Sequence, residues 1–248
     1  RDAILGRLGN DLDFTTDALP HQTKKILKSW ADNTWDTGIL FGTVAGKRGD
    51  TTVEVTTYRT EKYEEDSRNP DVEFGDTIEG DLSRRDFTVN SMALELTGSK
   101  PEFIDPFNGL GDLTERILRT PSSARQSFTD DPLRMMRAAR FASQLNFAIA
   151  EDVLTAMSTM ASRISIISAE RVREEFTKLL MSANPRLGIT ILVDTGIAEL
   201  VIPEIPKLRL EIDEHHHHKD VYEHSITVLE QAIAQEERLG GPNLVIQI

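Results

Sequence analysis

Asn10-Asp11-Leu12-Asp13-Phe14-Thr15-Thr16 is the stretch whose reading decides the fold. As a β-strand it alternates, so Asp11 and Asp13 share one face while Leu12 and Phe14 point the other way, into a core. Two carboxylates on one edge repel each other unless a cation stands between them. Mg²⁺ takes one or two carboxylates and completes its shell with substrate phosphates. Phosphoryl transfer with a two-metal clamp is one reading of the stretch. The other is an acidic turn, with Asn10 and Asp11 as turn residues and Asp13 solvated.

Outward from that strand, Pro20 to Ala31 carries Ile26, Leu27 and Trp30 between lysines, which predicts an amphipathic helix opened by proline. Ile39–Ala45 and Thr51–Tyr58 read as two strands of a hairpin, joined through Lys47-Arg48-Gly49-Asp50. In the second strand Val53, Val55 and Thr57 form the core face, and Glu54, Thr56 and Tyr58 the opposite one. If this strand neighbours the first, Glu54 joins Asp11 and Asp13 as a third carboxylate. The alternative is an exposed glutamate on a half-solvated strand. Thr60 to Gly80 is charged and poor in apolar residues, so it reads as a long loop, either functional or disordered.

Further on, Arg84-Arg85-Asp86 places two adjacent arginines where at least one must meet an anion or solvent. Arg85 reads as a guanidinium aimed at phosphate or ribose and oriented by neighbouring carboxylates. Phe103 to Leu113 reads as strand, Asn-Gly turn and helix start, with structural turn chemistry. Asp130-Asp131-Pro132-Leu133-Arg134 is a helix start, with acid ahead of proline. Inside that helix Arg134, Arg137 and Arg140 recur every three residues along one drifting face, and Leu133, Met136 and Phe141 serve another. Such a stripe is either an anion-facing surface or a solvated face. Ala169–Leu180 reads as a helix capped by Ser168 with Val172, Phe176, Leu179 and Leu180 inward. Asn184–Leu200 reads as a helix pair and Ser225–Glu237 as the last helix. His215 to His218 read as native surface histidines whose role stays open.

The 248 residues are enough for one large or two ordinary domains, and the absence of cysteine excludes disulfides, thiolate zinc sites and a cysteine nucleophile. No apolar run reaches transmembrane length, so the expectation is a cytoplasmic protein with no membrane partner. A formal net charge of −13 argues against a chain that coats nucleic acid along its whole surface. Between Pro121 and Arg186, however, nine Lys or Arg stand against seven Asp or Glu, so the helical middle is the least acidic part.

The ordered set Arg1-Asp2, Asp11-x-Asp13, Arg84-Arg85-Asp86-Phe87-Thr88-x-Asn90, Asp105-Pro106-x-x-Gly109 with Asp112-Leu113, and Asp131-Pro132-Leu133-Arg134-x-x-Arg137-Ala138-x-Arg140-Phe141 resembles the class II tRNA nucleotidyltransferase and bacterial poly(A) polymerase family, specifically its CCA-adding members. The resemblance implies an α+β fold. A polymerase-β-like head with a mixed sheet would cover residues 1–120, a helical neck 121–187, and a helical body 188–248. It implies that Asp11 and Asp13 bind Mg²⁺, with Glu54 an inferred third catalytic carboxylate. Arg1 matches the arginine that closes the family's glycine-rich nucleotide loop, whose glycines this chain lacks. Arg85 matches a nucleotide-contacting arginine, Asp131 and Arg134 the pair that reads the incoming base, and Arg137 and Arg140 further nucleotide-binding arginines. The partners implied are the tRNA 3′ end, CTP and ATP; the oligomeric state is left open. A poly(A) polymerase and a partial CC- or A-adding enzyme share every motif, and the charged Thr60–Gly80 loop favours the complete enzyme. Tyr222-Glu223-His224 resembles the opening of an HD-type phosphohydrolase domain, but the chain has no His-Asp dipeptide to complete that metal site. An HD phosphohydrolase with a vestigial head is the rival of a different class.

Overall fold

The computed structural model describes residues 1–7, 9–36, 38–62, 71–75, 77–210, 221–236 and 238. The histidines His215 to His218 lie outside that set. The chain divides into two compact units, Arg1–Asp131 and Pro132–Ile248.

The first unit is built on a four-stranded mixed sheet in the order β1-β4-β3-β2, with β1 Asp11–Thr16, β2 Asn33–Trp35, β3 Thr43–Arg48 and β4 Thr51–Thr57. β1 runs parallel to β4, while β4 with β3 and β3 with β2 are antiparallel. The parallel pair requires a crossover. α1 (Pro20–Trp30) supplies it, burying Leu27 against Val44 and Val53, with Leu12, Trp30, Ile39 and Val55 around them. The alternation expected of Val53, Val55 and Thr57 is therefore realised. Phe14 departs from expectation: it shares the face of Leu12 but is 40% exposed, because β1 is the edge strand. Ile26 is likewise 65% exposed, on the outer side of α1.

The expected strand Ile39–Ala45 begins late. Ile39–Phe41 forms a 3₁₀ turn, Gly42 adopts φ 82°, and the strand starts at Thr43. A left-handed glycine cannot continue an extended run, so the hairpin is shorter than its apolar pattern suggests. Within Thr60–Gly80, expected as a loop, β5 (Arg59–Lys62) and β6 (Asp71–Phe74) pair antiparallel, and α2 (Ile78–Ser83) begins; 63–70 and Asp76 lie outside the described residues. The unit continues with β7 (Ala93–Glu95) paired to β8 (Glu102–Ile104), then α3 (Gly109–Glu115), β9 (Ile117–Leu118) and α4 (Ala124–Asp130). Asp105 accepts hydrogen bonds from the backbone N–H of Gly109 (2.6 Å) and Leu110 (2.9 Å), the structural turn chemistry read from the sequence.

The second unit is helical: α5 (Leu133–Leu145), a short strand β10 (Ala148–Ile149), α6 (Glu151–Met160), α7 (Ala169–Leu180), α8 (Pro185–Asp194), α9 (Ala198–Val201), α10 (Glu204–Lys207) and α11 (Val221–Glu236). α5 is its axis, packed by α7 and α8, with Met135, Met136, Ala138, Ala139 and Ala142 fully buried. Small residues let α8 come close. A Cβ placed on Gly188 would stand 2.2 Å from Ser143 Oγ, 2.8 Å from Leu179 Cδ1 and 2.9 Å from the Ala139 carbonyl. Arg186 of α8 reaches Glu223 (2.8 Å) and Glu230 (2.7 Å) of α11, which also buries Tyr222 and Ile226. Among the described residues no helix is long and apolar enough to cross a membrane.

Ser143 Oγ is buried without a hydrogen-bond partner among the described residues. Ser143→Ala is therefore expected to be neutral or mildly stabilising in urea denaturation, since it removes an unsatisfied hydroxyl. Gly188→Ala should lower stability by about 1–3 kcal/mol through overpacking, despite alanine's better helix propensity. The double variant should recover part of that loss, because the nearest clash is with the serine oxygen; strict additivity would refute the packing account.

Candidate active site

The parallel register of β1 on β4 sets Asp13 beside Glu54 and Asp11 beside Thr52. Registered neighbours project from the same side of a sheet, so Asp11, Asp13 and Glu54 stand together on the face opposite Leu12 and Val53. All three are exposed. None has a side-chain hydrogen bond or ion pair among the described residues. The structure thus brings the three expected carboxylates to one surface and leaves them without a protein cation. They do not close into a cage, since among the described residues no three Asp, Glu or His side chains are grouped to hold an ion. Hard oxygen donors, open to solvent and too few for a full shell, fit a divalent ion that takes its other ligands from phosphate and water.

Thr15 follows on the same face, and its hydroxyl donates to Asp81 Oδ2 at 3.4 Å. Asp81, on α2, is 1% exposed and receives Arg84 (2.7 Å) and Arg85 (3.0 Å). Burial pushes its carboxyl up, but the attraction of Arg85 and Arg84 and their hydrogen bonds win, holding it below the usual carboxylate value. Arg85 keeps 36% of its side chain exposed. Its orienting carboxylate is Asp81, one helical turn earlier, rather than the adjacent Asp86. Asp86 instead accepts from the Phe87 N–H (2.8 Å) and from Asn90 Nδ2 (2.9 Å). Asn90 Oδ1 in turn accepts from Arg1 Nη1 at 2.8 Å, while Arg1 also forks onto Asp2. Arg1 is thereby tied to the turn that carries Arg85.

Asp131 is the half-buried residue that ends α4 and the first unit. In the second unit the arginine stripe of α5 is not a solvated face. Arg134 and Arg140 are each 8% exposed. Glu175 of α7, 4% exposed, receives Arg140 Nε at 2.5 Å and Arg137 Nη1 at 3.4 Å. Arg140 also donates to Gln144 and lies over the Phe141 ring, 4.0 Å from its centre.

Asp81 and Glu175 are the residues that sequence reasoning missed. Asp81 had a signal, because Arg84 and Arg85 lie three and four residues on along a helix. Glu175 had none, since its partners are 35 and 38 positions away. His224, the fragment of an HD motif, is exposed on α11 and belongs to no metal-holding group among the described residues.

Comparison with known proteins agrees with this geometry. The family model described as the poly A polymerase head domain matches residues 1–119, and one described as the probable RNA and SrmB-binding site of polymerase A matches 146–208. The chain is 40% identical over 210 residues to the CCA-adding enzyme of Lactobacillus johnsonii, covering 84% of this chain and 50% of that protein. It is 42% identical over 200 residues to the CCA-adding enzyme of Lactobacillus delbrueckii subsp. bulgaricus, covering 80% and 49%. Among solved structures it is similar to the Bacillus stearothermophilus CCA-adding enzyme in complex with CTP, at 36% identity and TM-score 0.72, covering 84% of this chain and 49% of that one. The chain spans about half the length of the curated relatives it matches. By sequence, motif order and fold, the chain belongs to the tRNA nucleotidyltransferase and poly(A) polymerase family, and its first unit carries that family's head domain.

Proposed function

We propose that the protein is a template-independent CCA-adding nucleotidyltransferase, transferring CMP and AMP from CTP and ATP to the tRNA 3′ end in the cytoplasm. Residues 1–120 serve as catalytic head, 121–187 as neck and 188–248 as body. The observation that carries the reading is the β1/β4 register, with Asp11, Asp13 and Glu54 on one open face and no protein cation among them.

In the reaction the primer 3′-hydroxyl attacks the α-phosphate in line, a new O–P bond forms, and pyrophosphate leaves with the broken bond's electrons. Asp11 and Asp13 would hold Mg²⁺, which when bound would supply Lewis-acid charge to the transfer. Glu54 adds a third carboxylate beside Asp13. Arg85, held by Asp81, presents its open side to the triphosphate, and Arg1 is steadied through Asn90 for the same anion. Arg137 and Arg140, which share Glu175, are assigned as further nucleotide-binding arginines of α5.

Base choice rests on Asp131 and Arg134. A carboxylate accepts from the exocyclic amine of cytosine or adenine, and a guanidinium donates to the neighbouring ring acceptors. Guanine and uracil present the opposite pattern at the first position and leave buried groups unpaired, which rejects them by as much as about 10⁴-fold.

The full-length protein, given Mg²⁺ and tRNA lacking its last three nucleotides, should extend by two with CTP alone. With CTP plus ATP it should extend by three and then stop, as resolved on a sequencing gel. A long adenosine ladder from ATP alone would make it a poly(A) polymerase, arrest at CC with both nucleotides a partial enzyme, and no growth would reject the assignment. Asp13→Ala should cut transfer at least about a thousandfold, with a melting midpoint within about 2 °C of wild type because the residue is exposed. Wild-type rates in that variant would remove the metal assignment. Arg134→Ala should raise incorporation of UMP and GMP relative to CMP and AMP by about 10²-fold, measured as ratios of kcat/KM. Unchanged ratios would remove the base-reading pair.

A further inference from the structure

The rows that cross the sheet do not end at the carboxylates. Asp13 and Glu54 continue through Ala45 to Trp35, and Asp11 and Thr52 continue through Lys47 to Asn33. A third row is verified by contact, since Thr56 of β4 and Thr43 of β3 share a hydrogen bond of 2.9 Å between their hydroxyls. The opposite face is accounted for by α1, because a Cβ on Gly46 would meet Ala31 and Leu27. Trp35 and Lys47 therefore lie on the carboxylate face, at its far side.

Both are unusual there. Trp35 is 40% exposed, a large apolar side chain with no place in the Leu27–Val44–Val53 core. Lys47 is exposed and has no ion pair among the described residues, although the chain carries a net charge of −13. Between Trp35 and Glu54 stands only Ala45, a small side chain that raises no ridge on the sheet. With strands about 4.8 Å apart, β3 lies roughly 10 Å and β2 roughly 14 Å from β1. At about 3.4 Å per stacked nucleotide, that distance corresponds to some three or four residues behind a 3′ end reacting at Asp11 and Asp13.

We infer that Trp35 and Lys47 form an RNA subsite on the catalytic face, in which the indole stacks on an unpaired base of the primer and the ammonium meets its phosphate. The inference rests on the proposed function in placing the reacting end at the carboxylates. The chemistry is that of single-strand recognition, in which an aromatic ring offers a sequence-tolerant platform and a neighbouring cation tracks the backbone. A tolerant platform suits a primer whose terminal bases change with each addition.

The test uses the full-length protein. The fluorescence of wild type minus that of Trp35→Phe isolates the Trp35 indole whatever other tryptophans are present. Titration with tRNA lacking CCA should quench this difference signal, while CTP alone should not. In transfer assays Trp35→Ala should raise the KM for tRNA about 5- to 100-fold, the range of base–aromatic stacking, with the KM for CTP unchanged; Trp35→Phe should retain most of the affinity. Lys47→Gln should lower the slope of log affinity against log salt by about 0.7, one single-strand phosphate contact. An unchanged tRNA KM in Trp35→Ala would overturn the inference, as would a rise in the CTP KM instead. Should the wild-type protein transfer no nucleotide, the proposed function fails while the fluorescence and salt arms still decide whether RNA occupies this face.

Discussion

β1 lies against β4 with Leu12 beside Val53 and Asp13 beside Glu54, and this one alignment positions both the apolar layer and the carboxylate face. Side chains along a strand alternate, so a slip of one residue would turn Asp11 and Asp13 onto Leu27 and Val44 and expel Leu12 into water. An isolated carboxylate in that layer costs several kcal/mol even after relaxation. Hydrophobic burial under α1 therefore holds the charged face in register, although it touches none of the charges. The carboxylate face needs no ligand to hold it in place.

Three buried carboxylates behave in the opposite way. Asp81 takes Arg84 and Arg85, Glu175 takes Arg137 and Arg140, and Asp112 takes Arg119 and the Thr88 hydroxyl. A charge withdrawn from water must be paired and hydrogen-bonded, whereas Asp11, Asp13 and Glu54 remain unpaired because they stay solvated. That contrast separates carboxylates available to a ligand from those that arrange the protein. The turn Asp105–Asp112 belongs to the second kind, and it is locked by Gly109, where a Cβ would sit 2.2 Å from the Thr88 carbonyl.

Much of this was legible in the chain where local rules suffice. The alternation of Asp11 to Phe14 and of Val53 to Thr57, the proline-led α1 and the helix start before Arg134 each announce an element through neighbours in sequence. Failures occurred where a distant or backbone effect decides. Gly42 cuts an apolar run that reads as one strand, β2 is too short to show alternation, and β5 is polar and charged throughout while β6 offers only Val72 and Phe74. Phe14 reads as core because periodicity reports a face but not whether a strand lies at the sheet edge. The arginine stripe on α5 reads either as an anion-facing surface or as a solvated face, because its buried partner, Glu175, comes from another helix.

The two units share one electrostatic device. In each, a single buried carboxylate serves two arginines, one enclosed and one open. Arg84 and Arg140 keep 16% and 10% of their side chains exposed, Arg85 and Arg137 36% and 33%. In each trio the carboxylate fixes both guanidiniums. The buried ion pair adds little net stability, because desolvation offsets its attraction. What it secures is the orientation of the second guanidinium, whose rotamers are restricted before any anion binds. A freely rotating surface arginine would lose that freedom on binding, whereas Arg85 and Arg137 have already been ordered during folding. Oriented in this way, the guanidiniums act locally, because charges at a protein surface are screened within about 8–10 Å at ordinary salt, so the chain's formal −13 does not by itself set the potential around them.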